Sequence, residues 1–370
     1  MLAELERHPH ARAVLAPALR DGERASHAYL FHGPPGAGKR AAARAVAAAL
    51  LADGSADPDG ARARALSGAH PDLTWVVPSG AHEILVADID QPVVAAASKT
   101  PFEAERRVFV IERADELGAE AANRMLKTLE EPARFVHIIL ITDRPTEVLP
   151  TISSRCQPVR FDAPPLERVA DELAASGIGW ETAMACARLA LGDAERARVL
   201  AGEGGGALRA AGERLARSAL TAQVAAQRPW VELLAVARAA GETVRAGLER
   251  RAKEELELSS RRDRKRVETE WAERTRRARR RAETAALDLA LQVGALWYAD
   301  LAAIGWGAEE LVRAVDRLSE LRPEAGIAAP TRLLAAVELV EETRRRFQLN
   351  VSEELACQAL AYRLEATVGE

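Results

Sequence analysis

The chain has 370 residues, 48% of them hydrophobic and 29% charged, with a formal net charge of −4. That length exceeds one ordinary core and predicts two or three domains. Its three cysteines, Cys156, Cys186 and Cys357, are odd in number and far apart, which excludes a disulfide framework and a cysteine zinc site and suits a reducing compartment.

The start, Met1-Leu2-Ala3-Glu4-Leu5-Glu6-Arg7, carries acidic residues and no apolar signal core. No apolar run appears long enough to span a bilayer, so a cytoplasmic protein without a membrane partner is expected. Ala28 to His32 has the character of a strand, and a glycine-rich loop follows it directly. Ala41 to Leu51 is rich in alanine and leucine and predicts a helix. Further strands are expected at Leu73–Val77, Arg107–Ile111 and Val136–Ile141. Strands alternating with helices imply a parallel sheet with crossover helices. Their apolar runs lack alternation, as in strands buried on both faces.

From about Pro165 to Leu220 no strand is evident, and short helices are expected between breaks at Gly177, Gly179, Gly192 and a turn at Gly204–Gly206. From Thr221 to Glu370 the pattern is helical throughout. Arg250 to Arg281 holds 14 Lys/Arg and 7 Asp/Glu, a net of 14 − 7 = +7. Such a run forms a solvated charged hairpin laced with i,i+4 pairs, or else a surface for nucleic-acid phosphates. Its one aromatic, Trp271, argues against base stacking. The fold class expected is α/β plus all-α.

The loop Gly33-Pro34-Pro35-Gly36-Ala37-Gly38-Lys39-Arg40 satisfies every position of the phosphate-binding pattern G-x-x-x-x-G-K-[ST] except the last. Backbone N–H groups of such a loop face phosphate oxygens, and Lys39 adds a point charge. A Ser or Thr at position 40 would place a hydroxyl on Mg²⁺, whereas Arg40 offers no lone pair and repels a cation. ATP or ADP binding at this loop is left open. On the strand ending Val110-Ile111-Glu112-Arg113, Glu112 takes the metal-side position. Arg113 takes the position of the water-activating glutamate, and an arginine stays protonated. General-base assistance is worth roughly 10²–10⁴ in rate, so hydrolysis by this chain alone is expected to be slow or absent.

Several elements carry a resemblance. They are His27-Ala28-Tyr29-Leu30-Phe31, His70-Pro71-Asp72-Leu73, Thr100-Pro101-Phe102, the run Ala121-Ala122-Asn123-Arg124-Met125-Leu126-Lys127-Thr128-Leu129-Glu130-Glu131-Pro132, and Leu149-Pro150-Thr151-Ile152-Ser153-Ser154-Arg155-Cys156-Gln157. Over about residues 25 to 162 the chain resembles the bacterial DNA polymerase III clamp-loader subunits, an AAA+ family. The segment from Leu349 to Ala356 resembles the end of the delta prime kind.

The resemblance implies an AAA+ P-loop domain at 1–165, a helical lid at 166–222 and a helical collar at 223–370. It implies partnership with gamma/tau and delta subunits, with the sliding clamp and, through the complex, with primer-template DNA. Arg40 and Arg113 favour the delta prime kind, which helps load the clamp and donates an arginine, here Arg155, to a neighbour's ATP site. The alternatives are an active gamma/tau-type ATPase and a DNA-binding protein using the basic helices. Thr142 stands where the family senses a γ-phosphate, or it caps its strand. Arg196 is a second-domain sensor or an exposed helix charge. Cys156 is expected to pack rather than react. The cysteine module that follows the P-loop helix in many family members is missing from Asp53–Ala69, so no zinc and no other metal site is expected.

Overall fold

A computed structural model of the chain describes residues 5, 8–20, 25–78, 83–258, 264–347 and 351–369. Most of the Met1–Arg7 stretch, the Arg261–Asp263 part of the basic run and Leu349–Asn350 lie outside these residues. The chain divides into two compact units, Met1–Pro164 and Pro165–Glu370.

The first unit is built on helix α1 (Pro9–Arg20), strand β1 (Ala28–His32), α2 (Lys39–Ala52), α3 (Pro58–Ser67), β2 (Leu73–Val76), α4 (Val86–Ile89), β3 (Arg107–Glu112), α5 (Ala119–Glu130), β4 (Val136–Thr142), α6 (Pro150–Ser153) and β5 (Gln157–Arg160). The strands form one sheet in the order β2-β3-β4-β1-β5, with every pairing parallel. Period-two alternation within the apolar strands divides their side chains between two cores. Leu30, Phe109, Ile111, Ile138 and Leu140 pack on one face with Ala121, Ala122, Met125 and Leu129 of α5. Tyr29, Phe31, Val108, Val110, Ile139 and Ile141 pack on the other with Ala42, Ala43, Val46 and Leu50 of α2. The four strands expected from sequence are present. The fifth, β5, lies at the sheet edge, where Pro158 is tolerated because its missing N–H removes no inner ladder bond.

The His70-Pro71-Asp72 element closes a loop. Asp72 is fully buried and its carboxylate accepts from the backbone N–H of Phe102 (2.6 Å), Glu103 (2.9 Å) and Ala104 (3.0 Å). Burial raises its pKa, but those three bonds and the nearby Arg107 charge together outweigh burial and hold it below the ordinary carboxylate value. The stabilisation is present above the unfolded pKa, near 4, and is lost as pH falls through the lower folded value. Asp72→Asn is therefore expected to lower stability by about 2 kcal/mol at pH 7, since hydrogen bonds to a charged group are the strong ones. Denaturant titrations of both proteins across pH should show this gap closing on acidification below about pH 4.

The second unit holds α7 (Leu166–Ala175), α8 (Trp180–Leu189), α9 (Ala194–Ala201), α10 (Gly205–Leu220), α11 (Val224–Gln227), α12 (Pro229–Leu258), α13 (Arg264–Gly305), α14 (Leu318–Glu324), α15 (Pro330–Arg346) and α16 (Glu353–Val368). Gly205 and Gly206, expected in a turn, instead open α10. One apolar cluster runs from Val169 to Val368 and includes both Leu220 and Val224. Packing therefore crosses residue 222, where a lid–collar boundary is expected, without a break.

The centre of this unit is α13, whose Leu287, Ala290, Leu291, Trp297, Tyr298 and Leu301 are all buried. Helix α10 meets it backbone to backbone, because a Cβ on Gly212 would lie 2.2 Å from the Ala290 carbonyl oxygen. The length expectation needs correcting here. The stretch Val267–Gly305 is long and apolar enough to cross a membrane, although 83% of its most apolar window is buried inside the structure. Burial against α10, α12 and α15 is what its apolar surface serves.

Candidate functional site

The sheet register brings the C-terminal ends of three strands together. His32 of β1 pairs with Thr142 of β4, and Ile141 pairs with Glu112 of β3. The glycine-rich loop, Thr142-Asp143 and Glu112-Arg113 therefore line one crevice, at the strand ends where open α/β sheets carry their sites. Gly33 leads the chain out of β1 with φ +149°, and a Cβ there would meet the Phe161 carbonyl oxygen at 2.1 Å, so this turn requires glycine.

Within the loop, Lys39 is turned inward and buried. Its ammonium donates to the carbonyl oxygens of Gly33 (2.7 Å) and Pro34 (2.6 Å) and pairs with Asp143 at 2.7 Å. An ammonium has three N–H bonds, and all three have acceptors here. Arg40 reaches across to Glu112, with Nη2 2.5 Å from Oε2. The other carboxylate oxygen of Glu112 accepts from Trp75 Nε1 at 2.7 Å. Beside the loop, burial first and then the Arg160 and Lys39 charges hold the His32 pKa below its ordinary value. That histidine is neutral at pH 7.

Thr142 is also engaged within the chain. Its hydroxyl donates to Asp115 Oδ1 at 2.6 Å and accepts from the Arg144 N–H at 2.9 Å. Arg144 grips the same aspartate through Nε (3.0 Å) and Nη2 (2.7 Å). Arg113 adopts a left-handed backbone, φ 56°, and pairs with the buried Glu116. A residue at the activating-glutamate position is thus both cationic and committed to a local ion pair.

Arg155 lies after α6 with its side chain 35% exposed. Its Nε donates to Glu130 Oε1 at 2.9 Å and Nη1 to the Thr151 carbonyl at 2.9 Å, while Nη2 also meets Glu130. Glu130 is itself 49% exposed. An exposed pair of this kind is worth about 0.2–1 kcal/mol, so freeing the guanidinium costs little. Cys156, next in sequence, is buried, and burial pushes its thiol pKa up to about 12. It packs against the α5 face and is not an activated nucleophile.

In the second unit, Arg196 is neither free nor simply solvated. It donates to Gln292 Oε1 (2.5 Å) and Asp288 Oδ2 (2.9 Å) of α13, and Arg344 joins the same Asp288. This corrects the expectation of an exposed helix charge. The basic run is crossed by ion pairs, including Arg279–Glu242 (3.0 Å) and Arg280–Glu353 (3.0 Å). Trp271 is 9% exposed and lies under the Arg274 guanidinium at 4.7 Å, so its ring face is covered. Ser352 caps α16 through a bond from the Leu355 N–H. Among the described residues no group of three or more His, Cys, Asp or Glu could hold a metal ion.

The loop, Glu112, Thr142 and the S-R-C arginine were all legible in the sequence. Asp143, Trp75 and Glu130 were missed as partners. Glu130 stands inside the quoted L-E-E-P element, but no spacing rule links it to Arg155, 25 residues on.

Residues 8–165 match the family model described as DNA polymerase III, delta subunit. The chain is 41% identical over 155 residues to DNA polymerase III subunit delta' of Bacillus subtilis, covering 41% of this chain and 46% of that protein. It is 38% identical over 136 residues to the subunit delta' of Pseudomonas aeruginosa, covering 35% and 42%. It is 33% identical over 165 residues to the gamma/tau subunit of Mycobacterium tuberculosis, covering 41% and 27%. The matched region spans less than half the length of each of these relatives.

Proposed function

We propose, from the match of residues 8–165 to the family model described as DNA polymerase III, delta subunit, that the chain acts as a delta prime subunit of a clamp loader. In this role it assembles in the cytoplasm with gamma/tau and delta subunits, helps place the sliding clamp on primed DNA, and hydrolyses no ATP itself. Its catalytic contribution is Arg155, presented to the γ-phosphate held by a neighbouring subunit. A planar guanidinium matches phosphate oxygens, and an arginine supplied in trans is worth roughly 10³–10⁵ in rate. Residues 166–222 serve as lid and 223–370 as collar, two roles carried by one compact unit with a shared apolar core.

One contrast carries this reading. Lys39 and Glu112 are buried and fully engaged within the chain, and Arg40 is paired to Glu112, whereas Arg155 sits at the surface on a pair whose carboxylate is 49% exposed. A gamma/tau-type ATPase would need a metal ligand at position 40 and a base at position 113. A DNA reader using base stacking would need the Trp271 ring, one face of which is covered by Arg274.

The test is reconstitution with gamma/tau, delta and clamp from the same organism. The full chain should enter one stable complex, and clamp loading onto primed DNA should depend on it. A complex that forms and loads clamps equally well without this chain would remove the assignment.

A further inference from the structure

A divalent cation is implied by the fold family between position 40 and the carboxylate at the end of β3. The residues present do not fit one. Position 40 supplies no acceptor, since a guanidinium has donors only. Both oxygens of Glu112 are engaged, one by Trp75 at 2.7 Å and one by Arg40 at 2.5 Å.

We propose that Arg40 is the resident cation of this site: it neutralises Glu112 and bars a divalent metal from the loop. The charge pattern of the crevice leads to the same conclusion. Four carboxylates lie around it, and each has a cationic partner in the chain. Glu112 has Arg40, Asp143 has Lys39, Asp115 has Arg144 and Glu116 has Arg113. Three of the four are well buried, with side-chain exposures of 8% for Glu112, 4% for Asp115 and 5% for Glu116. A metal approaching Glu112 would meet the Arg40 guanidinium, which is 52% exposed but lies 2.5 Å from a carboxylate oxygen that is itself buried, so the two like charges would compete for one acceptor. Mg²⁺ also demands a near-octahedral oxygen shell and gives up its water reluctantly, and no spare carboxylate is offered to it here. The crevice is charge-balanced without a metal. This property is separate from the trans role of Arg155 and does not depend on it.

The experiment is ATP titration of the full chain by calorimetry, in excess Mg²⁺ and in excess EDTA, for the natural protein, Arg40→Thr and the double variant Arg40→Thr/Glu112→Gln. Binding is the readout, because Arg113 prevents hydrolysis from reporting on metal in any of them. In the natural protein Mg²⁺ should bring no gain in ATP affinity, whether ATP is held weakly or not at all. In Arg40→Thr, Mg²⁺ should raise the affinity by at least about tenfold, and the double variant should lose that gain. An Mg²⁺-dependent gain in the natural protein overturns the proposal, and this arm requires no variant to fold. A folded Arg40→Thr protein without a gain overturns it too, as does a gain that survives Glu112→Gln.

Discussion

If Arg155 acts in trans as proposed, replacing it with alanine is expected to slow hydrolysis at the neighbouring site by about 10³-fold, the lower end of what a trans arginine supplies. The chain itself should fold normally, because the Arg155–Glu130 pair is partly exposed, 35% and 49%, and surface pairs contribute at most about 1 kcal/mol. Any other hydrolytic site in the reconstituted complex is left unaltered by this substitution. Steady-state turnover therefore falls by one site's share, while one phase disappears from a single-turnover time course. Arg155→Lys should behave nearly like alanine. It keeps the charge but loses the fork that matches two phosphate oxygens. Circular dichroism and complex formation unchanged, with the phase lost, would separate this outcome from a folding defect.

The largest stability effect is expected in the helical unit. Arg209 is 4% exposed and forms a two-pronged bond to Asp316, with Nη1–Oδ2 and Nη2–Oδ1 both 2.9 Å. Glu213, its other acidic neighbour, is 3.7 Å away, and burial, only partly offset by Arg209 and Arg317, raises the Glu213 pKa. Asp316→Ala leaves a buried guanidinium without its main partner. Breaking one side of such a pair costs about 3–5 kcal/mol. Denaturant unfolding followed by circular dichroism should register the loss. The pair links α10 to the segment before α14, so the same change loosens contacts 107 residues apart in sequence. Replacing both residues with apolar ones of similar size should recover much of the loss, because no charge is then left buried alone.

These two arginines mark what was legible in the sequence. Arg155 could be singled out because the Ser153-Ser154-Arg155-Cys156 element follows a long, specific run of family residues. Arg209 could not, since one arginine in a helical segment looks like any other until a distant aspartate folds against it. The same distinction holds across the fold. Four strands announced themselves as predominantly apolar stretches, three of them with at least four consecutive apolar residues, while β5 hid behind Gln157 and Pro158, a polar residue and a residue that cannot donate to a ladder. The missing hydroxyl at position 40 and the missing acid at position 113 were visible as single letters. That Arg40 would be folded onto Glu112 was not, because the pairing depends on β3 and α2 meeting at the same end of the sheet. Only the central position of α13 explains why a helix of membrane-spanning length is buried within its unit.

The central claim is that this chain's own loop is catalytically idle while its arginine serves another subunit. The most direct test is single-turnover ATP hydrolysis by the reconstituted clamp loader, comparing Lys39→Met with Arg155→Ala in this chain alone. The account predicts that Lys39→Met changes the rate by less than about twofold, whereas Arg155→Ala removes one hydrolytic phase. Loss of a phase on Lys39→Met, with Arg155→Ala leaving every phase intact, would contradict it.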